Sequence, residues 1–223
     1  MLLRRTALVL SLWCQAGGDR GVDTSTWGAA WSESDFVCLK EEGTAFVIIE
    51  AFRRSSSVLV EARQTVVNAR QAGFDDVQLY HFPDKAQDPA LQIGETLDFF
   101  GSVAGNSTLW IDVEGPQFWQ QANCSANVLF LASMLSAARD RLGTDKVGIY
   151  TSLSQWQPIM CNSTAFANET LWRPHYDGKA DNSDWHDHSV GPFGGWESAA
   201  IKQYNGTTSS CGMNVDLDWR FGV

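Results

Sequence analysis

Two carboxylates stand two residues apart in "LWIDVEGPQFW" (109–119), at the end of an apolar run with the composition of a strand: Asp112 and Glu114. Successive side chains of a strand alternate faces, so residues two apart share a face, with Cα atoms roughly 6.5 to 7 Å from one another. Gly115 and Pro116 end the strand just beyond them. Two carboxyl groups roughly 5 Å apart are the equipment of a retaining glycosidase, in which one protonates the leaving oxygen while the other attacks or stabilises the sugar. Proximity raises one of the two pKa values, so one group keeps its proton while its neighbour is ionised. The plain alternative is a solvated strand end, which a D-x-E pair alone does not exclude.

Two further acids occupy comparable places. Asp23 is near the end of the first strand-like run, "RGVDTS" (20–25), and Asp216 lies in "NVDLDW" close to the C-terminus. If the chain closes a barrel, first and last strands are neighbours and four carboxylates converge on one mouth. The competing role for Asp23 and Asp216 is hydrogen bonding to loop amides.

The elements that would position these acids are legible as alternating runs. Strands are expected at 20–25, 45–51, 77–82, 108–114 and 146–152. Helical patterns fill the intervals: 32–43 with Ser32 as N-cap and Gly43 as stop, 57–72, 90–103, and 125–142 ending at Gly143 with Arg139 and Arg141 in its last turn. A short helix follows the fifth strand. The pattern then changes: "TLWRPHY" (170–176), "AAIKQY" (199–204) and "MNVDLDW" (213–219) read as three strands joined by Gly-, Asn- and Asp-rich loops. Five βα units and three strands make eight strands, enough to close a barrel with the active site at the C-terminal strand ends. The expected fold is therefore a single α/β domain, a modified TIM-like (β/α)5β3 barrel over 17–223.

The first sixteen residues, "MLLRRTALVLSLWCQA", place Arg4 and Arg5 before a short apolar run ending in Ala16, as a secretory signal peptide does. Removing them takes Cys14 away and leaves Cys38, Cys124, Cys161 and Cys211, an even set suited to two disulfides in an exported protein. Element adjacency favours Cys38–Cys211 and Cys124–Cys161 among the three connectivities. Asn106, Asn123, Asn162, Asn168 and Asn205 each fit the N-glycosylation pattern, in keeping with secretion or delivery to a lysosome or phagosome. The net charge of −10 argues against nucleic acid and anionic membranes, which are bound through clustered Lys and Arg. A monomer is expected.

Six pieces in order, "GVDTSTW", "VQLYHF", "WIDVEG", "GIYTS", "KQYNG" and "NVDLDW", resemble the motifs of glycoside hydrolase family 25, the Chalaropsis-type muramidases, and the four-cysteine, sequon-rich form is similar to protist and nematode members. That resemblance implies a (β/α)5β3 barrel hydrolysing the β-1,4 bond between N-acetylmuramic acid and N-acetylglucosamine in bacterial peptidoglycan, without cofactor. It implies Glu114 as general acid, Asp112 as nucleophile or as partner of the substrate acetamido group, Asp23 and Asp216 as supporting acids, and Tyr80, Tyr150 and Tyr204 as rings lining the sugar groove. Pro83, and the basic "LWRPHYDG" with Arg173 and His175, depart from the family pattern.

Two other readings compete. A glycan-binding barrel could keep the groove without turnover, although a lectin needs no protonated Glu. A chitinase is disfavoured because its D-x-x-D-x-D-x-E run is absent before Glu114. "DNSDWHDHS" (181–189) gathers Asp181, Asp184, His186, Asp187 and His188, but in so polar a loop these read as a solvated tip, and no metal site is expected. Among the tryptophans, Trp185 and Trp196 in the long loops are candidates for groove walls, and Trp27, Trp31, Trp110, Trp119, Trp156, Trp172 and Trp219 are expected mainly in packing.

Overall fold

The computed structural model describes residues 17–25, 29–54 and 57–221. The expected signal peptide at 1–16, with Cys14, and also Trp27 lie outside the described residues. Strand β2 (Phe46–Arg53) is buried along almost its whole length, as a parallel strand must be when one face meets a barrel interior and the other a layer of helices. It pairs in parallel with β1 (Asp19–Thr24) on one side and β4 (Asp76–His81) on the other. The parallel series continues through β5 (Leu109–Asp112), β6 (Val147–Tyr150), β7 (Thr170–Pro174) and β8 (Ile201–Ser210). A hairpin then reverses the chain into β9 (Met213–Arg220), which runs antiparallel to both β8 and β1 and closes the barrel.

Among the described residues these eight strands form the barrel, and a two-residue strand, β3 (Ser57–Val58), folds back on the end of β2. Helices α1 (Glu33–Glu41), α2 (Val60–Gln71), α3 (Pro89–Phe100), α4 (Cys124–Leu142) and α5 (Leu153–Met160) supply the outer layer. The expected order of elements holds, with shifts at their ends. α3 stops at Phe100 rather than 103, because Gly101 adopts a φ of 49° and a 3-10 turn takes over. The last hairpin is longer than the 199–204 run suggested, since β8 continues as a ribbon to Ser210.

Two cores follow from the alternation. Outward-facing strand residues such as Val47, Ile49, Leu79 and Ile111 pack against α1 to α5, while Phe46, Ile48, Trp110, Tyr150, Trp172 and Ile201 fill the barrel itself. Inside, Trp110 donates through Nε1 to Gln78 Oε1 at 2.6 Å, so its polar atom is satisfied. Room for its ring comes from Gly148, directly opposite on β6. A Cβ there would lie 2.4 Å from Trp110 Cζ3.

The structure joins Cys38 of α1 to Cys211 at the β8–β9 turn, and Cys124 to Cys161 across the ends of α4 and α5. All five sequon asparagines are exposed; Asn123 also caps α4, accepting from the Ala126 amide.

Because the Trp110 ring occupies the space a methyl group would need, Gly148→Ala is expected to lower unfolding free energy by about 1–3 kcal/mol. Urea denaturation followed by tryptophan fluorescence checks it, and an unchanged midpoint would show that the interior can yield.

Candidate active site

Above the aromatic layer, at the C-terminal ends of the parallel strands, the interior turns polar. A cavity of about 140 Å³ is lined by Asp23, Tyr80, Asp112, Glu114, Tyr150, Trp172, Tyr176, Gln203 and Asp216. The four acids singled out from the sequence are therefore brought together, and Tyr80 and Tyr150 stand with them. A second cavity of about 300 Å³ adjoins it, sharing Glu114, Tyr150 and Tyr176.

Each acid has a definite support. Asp23 and Asp216 are direct partners across the β1–β9 ladder. Gln203 bridges them, its Nε2 donating to Asp23 Oδ2 at 2.6 Å and to Asp216 Oδ2 at 3.3 Å. The Oε1 of Gln203 accepts from both the Tyr150 and the Tyr176 hydroxyl at 2.8 Å. Asp216 also receives the Thr207 amide. Glu114 lies two residues beyond the end of β5. Its carbonyl accepts from Trp119 Nε1 at 3.0 Å, and the next amide, Gly115 N–H, donates to Gln155 Oε1 at 2.9 Å. Gly115 has a φ of 66°, the left-handed turn that ends the strand here. Asp112 is 5% exposed and its Oδ1 has no hydrogen-bond partner among the described residues.

The family model described as "Lysozyme-like protein 1" matches residues 15–204. The chain is 38% identical to "Probable GH family 25 lysozyme 2" of Dictyostelium discoideum over 201 residues, covering 89% of each. It belongs to the family 25 lysozymes. "Lysozyme-like protein 5" of Caenorhabditis elegans is 34% identical, with 84% of this chain and 86% of that one aligned. The muramidase structure from Acremonium alcalophilum superposes with a TM-score of 0.72 at 22% identity, over 92% of this chain and 94% of its own, and shares the α/β barrel fold.

In this family 25 barrel the acids perturb one another strongly. Burial, then the neighbouring Asp216, raise the Asp23 pKa to about 7, against the lowering effect of the Gln203 hydrogen bond. Burial and the charge of Glu114 push Asp112 well above the usual carboxylate range. Glu114 is raised by burial and by Asp216, and Asp216 by burial against its bond from Thr207. Like charges in so small a volume cannot all ionise together, so the cluster holds protons under conditions in which isolated carboxyls would have lost them.

Tyr204 does not line the acid cavity, contrary to the reading from the family motif. The β8–β9 register slips between Gln203 and Asn205. Gln203 faces the interior, so its neighbour Tyr204 faces away and lines a separate cavity with Arg20, Glu42 and Ser209. Trp185 and Trp196 are also not groove walls. They are buried in the outer core, with Nε1 atoms donating to the carbonyls of Glu197 and Glu169.

Three contributors escaped the sequence reading. Gln203 stands in the quoted "KQYNG", one residue from the tyrosine chosen. Tyr176, 58% exposed at the rim, belongs to a loop. Asp218 is two residues after Asp216 and could have been found by the same alternation that paired Asp112 with Glu114. It is fully buried, accepts from Trp172 Nε1 at 2.8 Å, and is held well above the ordinary range by burial and by Asp23.

The raised Asp23 pKa makes a stability prediction. A group whose folded pKa exceeds its unfolded value contributes fully below the unfolded pKa, here 3.8, and loses that contribution as pH rises through about 7. Asp23→Asn should therefore be more stable than the parent at about pH 8, with the advantage shrinking toward about pH 4. His81, whose buried ring is held down to about 4 by desolvation, is common to both proteins and cancels in the difference. Thermal unfolding across this range checks it, and a difference independent of pH would refute the assignment.

Proposed function

We propose that the acid cavity hydrolyses the β-1,4 bond between N-acetylmuramic acid and N-acetylglucosamine in bacterial peptidoglycan with retention of configuration. The observation that carries this reading is the place of Glu114, which borders both cavities and so stands between the sugars on either side of a scissile bond. Held in its protonated form by burial and Asp216, Glu114 gives its proton to the glycosidic oxygen as the bond to the anomeric carbon breaks. With the proton of the coupled pair on Glu114, Asp112 is the carboxylate that meets the positive charge developing on the sugar, either by covalent attack or by orienting the acetamido group. Glu114, now a carboxylate, takes a proton from the water that completes hydrolysis and is restored. Asp23 and Asp216 hold the protonation pattern, Gln203 fixes both, and Tyr80 and Tyr150 flank the sugar ring.

The chemistry needs no cofactor. An acidic secretory destination, outside the cell or in a lysosome or phagosome, suits both the raised carboxyl pKa values and the exposed sequons.

Digestion of purified cell wall, with analysis of the new reducing ends, tests the reading. Muramic acid at the reducing end is expected. Glucosamine ends would reassign the bond, and binding without new ends would leave a glycan-binding barrel. Glu114→Gln should lower kcat by at least about a hundredfold while remaining folded. Asp216→Asn removes a charge that raises the Glu114 pKa, so the basic limb of the pH–rate profile should move to lower pH. A limb that stays in place would release Asp216 from that role.

A further inference from the structure

The larger cavity beside Glu114 has one lining residue able to carry positive charge, His175. Its ring is anchored from behind by buried charges. Arg173 and Lys202, each 1% exposed, are cross-strand partners on β7 and β8. Arg173 donates to Asp184 Oδ1 at 2.5 Å and to Asn182 Oδ1 at 2.6 Å. Lys202 Nζ lies 2.9 Å from Asp177 Oδ1 and 3.2 Å from Asp184 Oδ1. Burial alone would raise both acids, but these partners outweigh it and hold Asp177 and Asp184 below the usual range.

His175 completes the group. Its Nδ1 bonds to Asp184 Oδ2, and Asp177 Oδ2 is 3.8 Å away. His175, Asp177 and Asp184 are close enough to suggest a metal site. Arg173 and Lys202 argue otherwise, because they already occupy the carboxylate oxygens and would repel a cation. Two cations and two carboxylates also balance without the histidine. The ring is thus fixed through one nitrogen, and Nε2 is its remaining polar atom. The other charged groups near it are Asp187, on the same loop, and Glu114, across the cavity.

We infer that His175 selects muramyl residues bearing a peptide stem, by binding a carboxylate of that stem. This rests on the peptidoglycan reading above and deepens it. The acid cavity, with Asp23, Asp112, Glu114 and Asp216 in its lining, offers no Lys or Arg to an anionic stem. The adjoining cavity offers Ser154, Gln155 and Ser189 as neutral hydrogen-bonding groups and the imidazole of His175. The ring meets Asp184 through Nδ1 and presents Nε2 to the stem carboxylate, with Arg173 and Lys202 holding Asp184 in place.

The test compares soluble glycan fragments whose peptide stems carry free carboxylates with the same fragments after those carboxylates have been converted to neutral amides. The full chain should show a higher kcat/KM on the fragment with free carboxylates, and His175→Gln should lower that preference about tenfold, the 1.4 kcal/mol of one charge-assisted hydrogen bond. The loss should fall in KM rather than kcat. Circular dichroism and thermal unfolding confirm that the variant is folded. Calorimetric binding of the stem-bearing fragment, with Glu114→Gln as host and His175 either kept or replaced, gives a readout independent of turnover. Equal preference and equal binding with and without His175 would overturn the inference. Cleavage of neither fragment, with binding that still depends on His175, would overturn the hydrolase reading and leave stem recognition standing.

Discussion

The Gln203 side chain is where barrel closure and site geometry meet. The sheet closes between β1 and β9, and at that seam Asp23 faces Asp216. Like charges directly opposite one another work against strand pairing. Gln203 answers this with one amide, two N–H groups for the two carboxylates and a carbonyl for two tyrosine hydroxyls. An amide does not titrate, so the bridge keeps its form while the acids around it gain or lose protons. A Lys or Arg in its place would satisfy the carboxylates more strongly and would also pull their pKa values down, removing the protonated acid that glycoside hydrolysis requires.

The same logic extends to the strands as two-sided objects. On β7 and β8, Trp172 and Gln203 line the acid cavity while the adjacent Arg173 and Lys202 are bound instead by Asp177, Asn182 and Asp184. No Lys or Arg lines the acid cavity among the described residues. The cations of these two strands are thus kept out of the acid cavity by alternation. The acids remain strongly perturbed because the nearest buried cations are already paired elsewhere. A slip of one residue in either strand would exchange the two faces and place the cations among the acids.

That dependence on parity explains what could be read from the sequence and what could not. The order of strands and helices, the convergence of Asp23, Asp112, Glu114 and Asp216, and the aromatic interior follow from periodicity and from the rule that first and last barrel strands are neighbours. Tyr204 was misplaced by a single residue, because "KQYNG" offers two polar-tipped side chains in succession and a register slip decides which one faces inward. Tyr176 and the partners of Arg173 and Lys202 come from a segment with no periodicity to exploit. Trp185 and Trp196 were ambiguous for the same reason, since an apolar ring in an irregular stretch fits a groove or a core equally well until its neighbours are known.

That irregular segment is also the structural reason for a second cavity. A parallel connection from β7 to β8 would ordinarily be made through a helix, which covers the outer face of the sheet. Here residues 175–200 do the covering without one. Trp185, Phe193 and Trp196 pack against one another and against Trp156 of α5, and the Nε1 atoms of all three tryptophans are satisfied by backbone carbonyls. An apolar underside anchored this way holds the segment against the barrel. Its remaining residues are then free to rise past the strand ends, where His175, Ser189 and Val190 form a wall facing Glu114. Giving up the helix costs regular hydrogen bonding along the connection, and what the barrel gains is one wall of the cavity beside Glu114.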